Sequence, residues 1–188
     1  FEDPRKMKFL IFTVSLFITF LLVTPESVRT EVVQSEDKRY TDNGDSTILD
    51  SKTGLMWMKN DSYLHTGHWL NWHESKIYVK GLNKVGFANH FDWRLPTKQE
   101  LRSLFESSKT NGSQVGREMK IHTDPLFGKN GSGSLWSADV NGIYNAIGIV
   151  FNTGDTFSSN KKSRSRKATR AVRTFTEKKL KLLKGRKN

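Results

Sequence analysis

Three histidines fall close together at His65, His68 and His73, and imidazole clusters of that kind bind divalent metals or carry protons. Zinc sites of tight spacing set two histidines on one helical turn beside a carboxylate or a cysteine pair. Here the three straddle a loop and a helix start with no such support, so they read as loop histidines. The run Asp42-Asn43-Gly44-Asp45 resembles half of a calcium loop, but its spacing is wrong and the distal glutamate is missing. A hairpin turn accounts for it better. The chain has no cysteine, which removes thiol catalysis, thiolate metal sites and disulfides. No Ser-His-Asp order, phosphate loop or spaced carboxylate pair emerges, so no catalytic residue, cofactor or metal ligand is assigned.

The five tryptophans are the remaining chemical signal, since an exposed indole offers a flat apolar face to a sugar. Trp57 alternates within a strand, Trp72 lies on a helix face, and Trp93 and Trp136 adjoin turns where a buried indole can bond a carbonyl. Those four are expected in the core. Trp69 is expected to be exposed and is the aromatic candidate for ligand contact.

The elements that must hold these residues have legible punctuation. "RYTDNGDSTILDSKTGLMWMKN" carries two turn clusters between three short extended runs, a β-meander with Ile48, Leu55 and Trp57 on its buried face and Met56 and Met58 on the other. "SYLHTGHWL" reads as an irregular aromatic loop. Asn71 with Glu74 forms a capping signal for a first helix over about 71–82, with Trp72, Ser75, Val79 and Leu82 at helical spacing. In "FDWRLPTKQELRSLF" the pair Thr97 and Glu100 forms a second capping box, so a second helix starts at Thr97 and turns Leu101, Leu104 and Phe105 to the core. Residues 107–134 read as a long loop around a turn at "DPLF". "GSLWSADV", "NAIGIVFNTGDTFS" and "KATRAVRTF" read as strands, the middle one a hairpin turning at 152–155. Strands, two helices, then strands imply an α+β fold with antiparallel sheets.

The net charge of +12 is not spread over the chain. Residues 161–188 hold thirteen Lys and Arg against one acid, Glu177, and the rest of the chain balances eighteen of each sign. Any electrostatic footprint therefore belongs to the C-terminal end. Lys167 to Arg173 are expected in the last strand, which makes Arg170 and Arg173 partly structural. Lys161, Lys162, Arg164 and Arg166 are then the contact candidates for a polyanion. At the other end "FEDPRK" precedes Met7, and Arg5, Lys6 and Lys8 border an apolar run from Phe9 to Val23. That pattern implies a signal peptide, or an uncleaved membrane anchor because no small-residue cleavage site follows. The expected division is upstream residues and signal over 1–30, a polar linker over 31–38, one domain over 39–174 and a basic tail over 175–188.

Taken as a set, "YTDNGDSTILDSKTGLMWMKN", "WHESKIYVKGLN", "GFANHFDWRLPTKQELRSLF", "DPLF", "LWSADV", "IVFNTGDTF" and "TRAVR" resemble, in order and spacing, the Lcl C-terminal domain family, named for the end domain of a bacterial collagen-like adhesin. The resemblance covers about residues 39–173. The Arg-Leu-Pro-Thr block also looks like that of formylglycine-generating-type proteins and of retroelement-diversified variable proteins, so the resemblance implies a C-type-lectin-like fold. It implies that Trp93, Arg94, Pro96, Thr97 and Glu100 organise the domain and do not catalyse. It also excludes the formylglycine-generating activity, which needs cysteines that this chain lacks. Members often have cysteines where Val79 and Ala171 stand here, consistent with a lost disulfide between the first helix and the last strand.

The resemblance implies an exported bacterial adhesion or ligand-binding module without catalysis, recognising carbohydrate, glycosaminoglycan or protein through surface loops. The alternative is a structural envelope domain held to anionic lipid or cell-wall polymer by its basic tail. The expected location is periplasmic, cell-surface or secreted, and no nucleic-acid partner is expected.

Overall fold

The two turn clusters do fold the first part of the domain into a meander. In the computed structural model, which describes residues 32–175, β1 (Val33–Gln34), β2 (Tyr40–Asp42), β3 (Thr47–Asp50) and β4 (Leu55–Met58) pair antiparallel in that order. The last strand among the described residues, β8 (Val172–Thr174), adds to β4 and completes a five-stranded sheet. β1 falls in the segment read as a polar linker, because Val33 and Gln34 pair with Asp42 and Thr41. A second antiparallel sheet contains β5 (Ser134–Asn141), β6 (Asn145–Val150) and β7 (Thr156–Asn160) in sequence order. The expected signal peptide or anchor over 1–30 and the basic tail beyond Phe175 lie outside the described residues.

Among the described residues three α-helices lie between the sheets where two were expected. "SYLHTGHWL" is not an irregular loop: α1 (Ser62–Thr66) opens on Asp61, whose carboxylate accepts the Leu64 amide at 3.0 Å, and closes on Gly67 at φ 76°. An aspartate before and a glycine after were sufficient punctuation for one and a half turns. α2 (Trp72–Val85) carries the Asn71/Glu74 capping box and runs past Leu82 to an αL cap at Gly86. A 3₁₀ turn (Phe87–Asn89) follows, then α3 (Lys98–Arg102) with the Thr97/Glu100 capping box. α3 is only five residues long, so Leu104 and Phe105 reach the core from the turn after it.

Both faces of the five-stranded sheet are covered. Tyr40, Ile48, Leu55 and Trp57 join Leu101, Leu104, Leu135 and Ile149 in one cluster, which binds α3 and the second sheet to the first. On the other face Leu49, Met56 and Met58 meet Val79 and Leu82 of α2, together with Trp93 and Ala171. Val79 and Ala171 thus share one apolar cluster without a covalent link. The β6–β7 turn needs glycine at 154: φ is 78° and a Cβ there would stand 2.7 Å from the Phe105 ring.

The stretch before β8 is not all strand. Residues 167–171 run extended with a single parallel bridge, Leu135 to Ala168, and only Val172–Thr174 pair with β4. Arg170 is buried and donates to the carbonyls of Met58 (2.8 Å) and Lys59, with its guanidinium 4.7 Å from the centre of the Phe127 ring. Burial lowers the Arg170 pKa below the usual guanidinium value.

Candidate functional site

The reversal at Gly67 folds the chain back on α1, so that the Trp69 ring stacks on the Tyr63 ring with centroids 3.9 Å apart and planes 17° from parallel. Trp69 is half-buried, one face held by Tyr63. Its neighbour Leu70 is tied on both sides: its amide donates to Lys167 O at 2.9 Å and its carbonyl accepts from the Trp136 indole at 3.0 Å. Two positions on, the Trp72 amide donates to Lys161 O at 3.0 Å. These two backbone bonds clamp both ends of the 161–167 loop against the start of α2.

The clamp brings Arg164 onto Glu74. Glu74 Oε2 accepts from Arg164 Nε at 2.9 Å and from the Asn71 amide at 2.9 Å, while Oε1 accepts from Arg164 Nη2. The guanidinium holds the Glu74 carboxyl below the ordinary carboxylate range. His68, Trp69, Leu70, Glu74 and Arg164 line a cleft of about 390 Å³. Two of the candidates read from the sequence, Trp69 and Arg164, therefore meet in one place. The arrangement joins a braced indole to a bidentate acid-base pair, which suits a ligand with an apolar face and hydroxyl or acidic substituents.

The other basic candidates divide. Lys161 is turned to the β5–β6 turn, with Nζ donating to Ile143 O at 2.7 Å and Gly142 O at 3.3 Å. Lys162 and Arg166 are exposed on either side of Arg164, and their side chains are without an ion-pair partner among the described residues. Arg173 pairs with Asp92 at 2.6 Å, and Lys167 lies 5.4 Å from the Trp136 ring centre. Trp57, Trp72, Trp93 and Trp136 are all buried. The indoles of Trp72 and Trp93 donate to Ser137 O and Phe87 O.

The Arg-Leu-Pro-Thr corner knits the fold. Arg94 makes two bonds to Glu100, at 2.8 and 2.7 Å, and Glu100 also accepts the Thr97 amide at 2.7 Å. The backbone of Arg94 exchanges both bonds with Val172, and Pro96 O accepts the Ala138 amide at 2.7 Å. One corner thus touches α3, β5 and β8.

The three histidines face separate partners or openings. His65 Nδ1 lies 2.7 Å from the Tyr78 hydroxyl, His68 borders the cleft, and the His73 ring stands edge-on to Trp72. Asp42 and Asp45 serve their own turn, accepting the Gly44 and Thr47 amides. The carboxylates that do converge are Asp37, Glu106 and Asp124, with oxygens within 4.8 Å of one another, a spacing fit for a cation. The ammonium of Lys109 serves as that cation, at 2.7, 2.9 and 2.7 Å from the three. Burial opposes its charge, but the carboxylates outweigh burial and raise its pKa above the usual lysine value. The sequence reading missed this group because Asp37 and Asp124 lie far in sequence from Glu106 and Lys109.

Tyr63, His68 and Glu74 were likewise absent from the candidate ligand residues. Glu74 was legible as a helix cap, and only the fold shows that the same carboxylate holds Arg164. Among the described residues no helix is long and apolar enough to cross a membrane. A family model described as the Lcl C-terminal domain matches residues 46–173. No curated protein matches the chain.

Proposed function

Since the chain belongs to the Lcl C-terminal domain family, we propose that it is an exported, non-catalytic module of C-type-lectin-like fold that binds an acidic carbohydrate of the glycosaminoglycan kind in the cleft between Trp69 and Arg164. The family supports an adhesin-like role, and the braced Trp69 ring beside the Arg164–Glu74 pair is the observation that carries the ligand class. A sugar ring lies with its C–H face on the indole, while the guanidinium meets a carboxylate or sulfate. Lys162 and Arg166 extend the positive rim along a longer chain. Because Tyr63 holds the indole before any ligand arrives, little side-chain entropy is lost on binding.

The alternative is an envelope domain held to anionic lipid or cell-wall polymer by its basic tail over 175–188, which lies outside the described residues. A glycan and host-matrix array screened with the full chain and with Trp69→Ala separates the two. Loss of the acidic-glycan signals in the variant is the expected result. Signals of equal strength in both chains would overturn the cleft assignment.

A further inference from the structure

The β5–β6 turn points two large apolar side chains at solvent: Ile143 is 81% exposed and Tyr144 74%. Among the described residues neither side chain joins a core cluster or a ring pair. The carbonyls of the turn, by contrast, are engaged. Lys161 Nζ donates to the carbonyls of Gly142 and Ile143, and the Lys161 amide donates to Tyr144 O at 2.8 Å. An ordinary surface turn leaves such carbonyls to water. Here three consecutive carbonyls are satisfied from within, so the tip can leave water without stranding them.

We propose that this tip docks on an anionic lipid surface, with Ile143 and Tyr144 entering the headgroup region. The side chains suit that depth, an aliphatic one for the acyl boundary and a tyrosine for the polar interface. The charges suit its sign. Lys161 sits at the base of the tip, exposed Lys162 follows it, and Lys161 and Lys76 lie 5.2 and 4.8 Å from the centre of the Trp72 ring. The nearest acid on the hairpin, Asp139, is bonded to the Lys98 amide at 2.6 Å. Two projecting side chains are too small an area for a stable protein interface, which buries roughly 800 Å² per partner. They are enough to add an interfacial foothold to a surface attracted by lysines. The apolar tip is not part of the Trp69 cleft, and although Lys162 borders both, docking of the tip does not depend on the ligand proposed there.

The test is site-specific quenching in the full chain. Tyr144→Trp places a reporter at the tip, and brominated lipids quench an indole only when it lies among them. With mixed phosphatidylglycerol and phosphatidylcholine vesicles, the Tyr144→Trp chain should show quenching beyond that of the parent chain. The added quenching should vanish when Ile143→Asp is introduced beside it, and should fall in pure phosphatidylcholine or as salt rises. Both positions are exposed, so thermal midpoints should match the parent and exclude misfolding as the cause. Vesicle binding through any other segment leaves the tip unquenched. Equal quenching in the Tyr144→Trp and parent chains would therefore overturn the proposal, as would added quenching that survives Ile143→Asp.

Discussion

Glu74 and Arg164 are joined by two hydrogen bonds, and the same carboxylate accepts the Asn71 amide that opens α2. One side chain thus fixes both the helix start and the loop that carries the cation.

Arg164→Ala should weaken binding of a heparin oligosaccharide, while its melting midpoint stays near the parent's because exposed ion pairs contribute little to stability. Arg164→Lys should recover charge but not the two-pronged contact, giving intermediate affinity. Titration calorimetry with the three chains checks this, and indistinguishable affinities would remove Arg164 from the site.

Lys109→Met should destabilise by about 3 kcal/mol, since it leaves Asp37, Glu106 and buried Asp124 facing one another without a cation. Calcium should raise the urea midpoint of the variant and leave the parent unchanged, because the carboxylate oxygens are spaced for a cation only when the ammonium is gone. A calcium response in the parent, or none in the variant, contradicts the assignment.

Acid should progressively remove the stability that the carboxylate pairs supply. Lys109 holds the Asp37 carboxyl well below the usual range, and Arg164 and Arg173 do the same for Glu74 and Asp92. Glu100 is also lowered, since Arg94 and the Thr97 amide outweigh the burial that would raise it. A folded pKa below the unfolded one stabilises at pH above the unfolded value and ceases to do so as pH falls through the folded value. Urea midpoints should therefore be flat near neutrality and drop progressively below about pH 4, the ordinary carboxylate range. A midpoint independent of pH down to 2 on that scale would show that these pairs do not matter to folding.

Thr97→Ala should cost about 0.5–2 kcal/mol through the unpaired Glu100 amide of α3. An unchanged denaturation midpoint would mean that the short helix does not need its cap.

The meander, α2, the α3 cap and the β6–β7 hairpin were legible because each is declared locally by turn residues or a capping pair. α1 was missed although Asp61 and Gly67 bracket it, because five residues give too little periodicity to read. The run "KATRAVRTF" read as strand from Lys167, but Arg170 is buried in carbonyl contacts before pairing with β4 begins at Val172. Trp69 could be chosen by elimination, whereas its stacking on Tyr63 and its meeting with Arg164 depend on long-range backbone bonds at Leu70 and Trp72. The Lys109 group was invisible for the same reason. Its acids come from the β1–β2 connection and from two distant points of the long α3–β5 connection, which only the folded chain brings together.

The most direct measurement follows the tryptophan indole N–H signals of the ¹⁵N-labelled chain during titration with a heparin tetrasaccharide, with Trp69 assigned by its loss in Trp69→Phe. The account predicts that the Trp69 signal shifts to saturation while those of buried Trp57 and Trp93 stay in place. A Trp69 signal that does not move at saturating tetrasaccharide would contradict it.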